Sequence, residues 1–233
     1  MKMLKWYFET WWTIIARPIY FYTKLKEESW KEKSLTFLVI TSWLLAAAMT
    51  LAIFLIQYLP IGSTLVEGIK GFKFLIVLPV LLTLALVFLG MTLLILGGVL
   101  VIGLGAAFYA VGFILHYTYI LLGGKGSLNR MLQNSLYSSA VALAGLFPSL
   151  FALLTRYNLL DLSLFRVGYN LVYGLVGLFV YGLWAVAGRK AYGVPKWKAF
   201  AGALVPVIIL LIFGIAFDKI ALSKLETWIA PLR

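Results

Sequence analysis

Cysteine is absent from the 233-residue chain, and histidine occurs once, as His116. Without cysteine there is no disulfide, thiolate metal site, cysteine nucleophile or S-palmitoyl anchor. One imidazole cannot form a histidine metal cluster, and it leaves at most one place for a Ser-His pair. Acids are scarce as well: Glu9, Glu27, Glu28, Glu32, Glu67, Asp161, Asp218 and Glu226 are all of them. None falls within a long apolar run, where proton- or sodium-coupled carriers need an ionisable group. No carboxylate pair, metal-ligand spacing or triad remains. No catalytic, cofactor-binding or metal-binding residue is assigned, and no cofactor is expected.

Apolar residues fill the space instead. They make up 63% of the chain, with a mean hydropathy of +1.01, against about 45–50% in ordinary soluble domains. A chain of this size cannot hide that much apolar surface in one soluble core, so the lipid bilayer is its expected solvent. The net charge is +12. The bases lie in short stretches between apolar runs, which fits positive-inside orientation and contact with anionic lipid head groups. Nucleic acid is not an expected partner.

The runs cover 35–59, 74–122, 134–154, 167–187 and 199–217. A helix needs roughly 20 residues to cross the hydrocarbon core, so four runs fit one crossing each. The second, as one straight helix, would measure about 73 Å against a core of about 30 Å. It is expected to bend near Gly97-Gly98 or Gly103-Leu104-Gly105. The fold class is therefore all-α, a polytopic transmembrane helix bundle of five or six crossings. Five crossings put 13 of the 20 bases in the cytoplasm and six put 12 there, too close to decide. The crowding of Arg189, Lys190, Lys196 and Lys198 into one short loop favours five.

Residues 2–17 read as an interfacial amphipathic helix. Lys2, Lys5, Glu9, Thr13 and Arg17 form a polar stripe opposite Leu4, Tyr7, Phe8, Trp11, Ile14 and Ile15, with Trp6 out of pattern and Pro18 at the end. The competing reading packs this helix against the bundle itself. Residues 19–34 read as a solvated stretch. The first apolar run starts at Leu35, too late for an ordinary signal peptide. The N-terminus is expected to stay attached, on the cytoplasmic side. The chain thus divides into a basic amphipathic segment (1–34), a transmembrane bundle (35–217) and a short polar tail (218–233).

Gly123, Gly124, Lys125, Gly126 and Ser127 interrupt the apolar sequence. The spacing is not that of a phosphate-binding P-loop, and no strand precedes it. The glycines and Ser127 read as a structural turn, with Ser127 capping the next helix. Lys125 and Arg130 then sit at head-group level with that helix N-terminus. Together with Arg189, Lys190, Lys196 and Lys198 they are the candidate contacts for a lipid head group or partner. His116 reads as a satisfied interfacial residue. Asn134, Ser135, Tyr137, Ser138 and Ser139 form a polar strip, and Asn170 with Tyr173 a second pair. Both are read as bonds between helices, with a polar pathway as the rival. Small residues throughout the runs suit close helix packing.

Several short stretches recur in a familiar order. They are Arg17-Pro18 followed by aromatics, "LLGGKGSL" (121–128), "LYSSA" (136–140) with Pro148 later in the same helix, and "GRKAYGVPKWKAFAGALVP" (188–206). This set resembles the Yip1-domain family of polytopic membrane proteins over residues 17 to 213. The family often has a proline soon after the tyrosine matching Tyr137, where this chain has Ala140 and Val141. The resemblance implies five crossings, a cytoplasmic N-terminus, no enzyme activity and no cofactor. The short N-terminal segment looks like the prokaryotic branch, to which the Rab binding of eukaryotic relatives is not carried over. Two functions remain open: a non-enzymatic scaffold of a prokaryotic cytoplasmic membrane, acting as a homo-oligomer or with other membrane proteins, and a permease or channel component for a small solute.

Overall fold

The structure is a computed structural model and describes residues 2–67, 69 and 71–230. Helices α1 (Lys2–Ala16) and α2 (Pro18–Lys24) precede α3 (Lys33–Ile53), which runs through a π-helical turn at Phe54–Tyr58 into α4 (Leu59–Glu67). Then come α5 (Phe72–Leu121), α6 (Leu128–Tyr137), a 3₁₀ stretch at Ser138–Gly145 and α7 (Leu146–Arg156). Helices α8 (Leu162–Tyr192) and α9 (Lys196–Phe217) follow, and a second π-helical turn at Asp218–Leu222 leads into α10 (Ser223–Ile229).

Among the described residues, five helical spans are long and apolar enough to cross a membrane: Lys33–Thr64, Phe72–Leu121, Leu128–Arg156, Leu162–Tyr192 and Lys196–Leu222. They alternate in direction. Residues 25–32, 123–127 and 193–195 therefore share one end of the bundle, the basic end, while 157–161 and α10 lie at the opposite end.

The long second run forms a single element, so the sixth crossing is not made. Helix α5 is unbroken for 50 residues, through both glycine pairs expected to bend it. Of these four glycines only Gly97 is needed for a close contact, and Gly112, further along, is needed for another. A Cβ on Gly97 would lie 2.5 Å from the Trp43 ring, and one on Gly112 would lie 2.8 Å from Leu132 Cδ2 and 3.3 Å from its Cα. At 1.5 Å per residue the helix is about 75 Å long. No residue in its first half before Gly97 is buried, and Phe72, Leu75, Ile76, Val80, Leu82 and Leu86 are exposed. Packing on the π-helical turn after α3 is seen where the Tyr58 and Thr92 hydroxyls meet at 3.1 Å and the Tyr58 and Phe88 rings pack.

The N-terminal segment is more built than its composition suggests. One face of α1 buries Tyr7 and Ile14, with Tyr7 bonded to Thr41 at 2.9 Å and stacked near Phe37. A second face leaves Leu4, Phe8 and Trp12 exposed, and the polar stripe carries Lys2, Lys5 and Glu9. One face of this helix thus packs on the bundle, as the second reading has it, and the exposed apolar face is of the kind interfacial helices carry. Trp6 escapes the stripe because it packs edge-on against Phe37. Residues 19–34 are not simply solvated. Pro18 starts a helix, as its missing N–H allows, and this helix buries Tyr22 completely. Burial raises the Tyr22 pKa, and its hydroxyl donates to the Asn134 carbonyl at 3.4 Å.

The segment read as a polar tail also folds back. Leu222 and Ile229 are buried with Ile56, Ala152 and Phe165, and Arg166 Nη2 meets Glu226 at 2.6 Å. The mid-span Pro148 stands two residues past the switch from 3₁₀ to α-helical bonding at Leu146.

Replacing Gly112 with leucine forces α5 off the α6 backbone and is expected to cost about 1–3 kcal/mol. Leucine at Gly103, where a Cβ meets nothing within 4 Å, is expected to be neutral or stabilising. Melting curves of the two variants in detergent check this. Equal destabilisation of both removes the close-approach explanation.

Candidate functional site

The basic end is assembled around the last turns of α5. Gly123 adopts φ +86° just beyond the helix, and its N–H bonds to Ile120 O while Gly124 N–H bonds to Tyr119 O at 2.9 Å. This is a left-handed helix stop that glycine accepts without strain. Gly193 ends α8 in the same way, with φ +67° and a 3.1 Å bond to Arg189 O. The two stops are joined by Lys125 N–H donating to Tyr192 O at 3.1 Å.

Close packing explains the other two glycines of the turn. Gly124 has no left-handed backbone, but a Cβ there would lie 2.7 Å from Tyr192 Cβ and 2.9 Å from Val194 Cγ1. A Cβ on Gly126 would lie 2.8 Å from Ala191 O. Beneath the turn, the Tyr119 ring fills a slot between α8 and α9. A Cβ on Gly188 would overlap this ring, and one on Gly202 would sit 2.5 Å from it. The Tyr119 hydroxyl reaches Trp184 O at 3.1 Å and Ala199 O at 2.9 Å.

Ser127 caps α6 by accepting from Arg130 N–H at 3.1 Å. Its hydroxyl in turn donates to the Glu27 carboxylate. An anion therefore already stands at this helix N-terminus, where the macrodipole favours one, and the chain itself supplies it. Asn129 and Gln133 complete the strap. Asn129 Nδ2 donates to Glu28 O at 2.9 Å, Asn129 Oδ1 accepts from Trp30 N–H at 3.2 Å, and Gln133 Nε2 donates to Lys26 O at 3.1 Å. His116 Nδ1 and the Tyr192 hydroxyl hydrogen-bond, and Tyr192 also reaches Ser127 O at 3.3 Å.

The six candidate cations gather at this end but are not equivalent. Lys198 Nζ donates to Leu122 O at 2.8 Å and lies over the Trp197 ring. It thereby complements the C-terminus of α5. Lys125, Arg189, Lys190 and Lys196 are exposed, and Arg130 is half-buried. Lys24, Lys26, Lys31 and Lys33 stand exposed on the same end, and Lys33 pairs with Glu28 at 3.0 Å.

In the polar strip of the third span the Ser135 and Ser138 side chains bond to other helices, while the Ser139 hydroxyl is buried without a partner among the described residues. Ser135 Oγ donates to Phe108 O at 2.5 Å, Trp184 Nε1 to Ser138 Oγ at 2.9 Å and Trp11 Nε1 to Ala140 O at 3.0 Å. Tyr173 hydrogen-bonds Leu210 O, and its ring lies where a Cβ on Gly214 would be. Sequence reasoning missed Glu27, Asn129 and Gln133, because nothing local marks a charged linker as a strap. It also missed Tyr119, whose partners lie 65 and 80 positions away.

A family model described as Yip1 domain matches residues 12–217. No curated protein and no solved structure matches the chain.

Alanine at Gly188 should lower the melting midpoint by several degrees, because the Tyr119 ring has nowhere to move. Alanine at Gly182, with nothing within 4 Å, should not. At the turn, Gly124→Val should cost more than Lys125→Ala, the first overlapping Tyr192 and the second losing an exposed charge worth roughly 0–0.5 kcal/mol. Detergent melting of these four variants is the check. A large loss in Lys125→Ala beside an unchanged Gly124→Val reverses the assignment.

Proposed function

The chain belongs to the Yip1-domain family, and from that membership we propose that it is a non-enzymatic membrane scaffold. It organises other membrane proteins, or copies of itself, in a prokaryotic cytoplasmic membrane. The observation that carries this reading is how its polar groups are divided. Most of those within the bundle hold helices to one another: Ser135, Ser138, Trp184, Tyr119 and Tyr173 bond across spans, and among the described residues the buried Thr50 and Ser139 hydroxyls are without a partner. Those at the basic end are displayed, with Lys125, Arg189, Lys190 and Lys196 exposed. A carrier needs the reverse, with polar groups free inside to meet a solute.

Charge supports an orientation. The basic end carries 13 of the 20 bases and 4 of the 8 acids. Under the positive-inside rule that end, and the N-terminus with it, faces the cytoplasm. There Lys125, Arg130, Arg189, Lys190 and Lys196 meet anionic lipid head groups or an acidic partner surface, while Lys198 holds the turn.

Two measurements test the proposal. A cysteine replacing Lys196, in this otherwise cysteine-free chain, is expected to resist an impermeant maleimide on intact cells and to label after permeabilisation. Labelling from outside reverses the orientation. Purified protein in liposomes is expected to pass no ion current and to take up no metal or small metabolite. A saturable flux that Asn134→Leu abolishes without loss of folding overturns the scaffold in favour of a permease.

A further inference from the structure

We infer that the end of the bundle opposite the basic face holds one anionic membrane lipid, its phosphate on Arg156 and one acyl chain in the cavity beside it. The inference is independent of the scaffold reading and concerns the other side of the protein.

Two hollows adjoin there. One, of about 470 Å³, is lined by Gln57, Pro60, Thr64, Arg156, Thr227 and Trp228. The other, of about 340 Å³, is walled chiefly by apolar side chains, among them Met49, Ala152, Phe165, Phe217 and Ile229. Gln57 and Trp228 line both, so a polar chamber and an apolar one share a boundary. An amphiphile has that same division.

Arg156 supplies the charge. It ends α7 at the boundary of the third span, the depth of lipid head groups. Its Nη1 donates to Ala230 O at 2.6 Å, while its Nε is buried with no partner among the described residues. A guanidinium offers five donors in a planar fork suited to phosphate oxygens. No carboxylate among the described residues pairs with it, since Glu226 is taken by Arg166 and Asp218 makes no ion pair with it. Among the described residues this partly buried cation therefore has no counter-ion, a costly arrangement that a phosphate relieves.

The walls point the same way. Gln57 sits in the Phe54–Tyr58 π turn, and Leu222 of the second π turn packs in the cluster lining the apolar side. Such turns recur at functional sites. Trp228 is 60% exposed between the chambers, as an interfacial tryptophan is. The apolar volume suits the end of one chain rather than two.

The test uses the full-length protein in detergent, with native mass spectrometry and thermal melting. The probes are dioleoyl phosphatidylglycerol, dioleoyl phosphatidylcholine, dihexanoyl phosphatidylglycerol and inorganic phosphate. One dioleoyl phosphatidylglycerol should bind about tenfold more tightly than the phosphatidylcholine. Arg156→Gln should lose that preference, and Lys196→Gln, at the other end, should keep it. Ala152→Leu narrows the apolar chamber while leaving Arg156 in place. It should weaken the dioleoyl lipid severalfold and leave the dihexanoyl one unchanged. Full preference in a folded Arg156→Gln protein overturns the inference, as does an Ala152→Leu protein with unaltered chain-length dependence. Stabilisation by inorganic phosphate equal to that by the lipid assigns the site to a free anion instead.

Discussion

The Tyr119 ring stands between Gly188 of α8 and Gly202 of α9, its hydroxyl within reach of the carbonyls of Trp184 and Ala199. In lipid there is no hydrophobic pull between helices, and association rests on close contact and hydrogen bonds. A single phenol supplies both here, joining three crossings at one point. The two glycines make the slot, and the slot fixes the depth of α5 against the α8–α9 hairpin. With that depth set, the turn at Gly123 lies level with the turn at Gly193, and the bond from Lys125 to Tyr192 closes the loop layer. Tyr173 against Gly214 repeats the device lower in the same helix pair.

The strap over α6 depends on the same arrangement. Ser127 meets Glu27 only because the turn delivers the start of α6 beside the linker from α2. A carboxylate at a helix N-terminus is favoured by the local field, and here the pairing spans 100 positions of sequence. At the basic end some charges therefore fasten the chain, as Glu27 and Lys198 do, while Lys125, Arg189, Lys190 and Lys196 stay exposed.

Hydropathy alone located all five membrane-length helices among the described residues, since each apolar run lies almost wholly inside one of them. It placed the ends badly. The run at 167–187 belongs to a helix from Leu162 to Tyr192, because helical hydrogen bonding does not stop where lipid does. Asp161 and Gly193 mark those ends better than the loss of apolar residues. Glycines were ambiguous for a related reason. Gly97 and Gly112 permit contact within a continuous helix, whereas Gly123 and Gly193 end one. A single sequence does not separate these uses, which differ only in what stands opposite. Bonds such as Tyr119 to Ala199 were illegible on the same ground: their logic lies in register between distant helices. The long run illustrates the limit, since an expectation built on bilayer thickness put a bend where the backbone stays helical.

The 3₁₀ stretch from Ser138 to Gly145 changes the phase of the third span. Three residues per turn instead of 3.6, over eight residues, turns everything after it by about 160° and lengthens the rod by about 4 Å. Ser135 and Ser138 point into the bundle toward α5 and α8. Were the same sequence α-helical throughout, α7 would present nearly the opposite side to its neighbours, and Ala152 would leave the cavity it lines. The third span is therefore two helices with different facings spliced end to end, and the splice lets one crossing serve α5 at the basic end and α10 at the other.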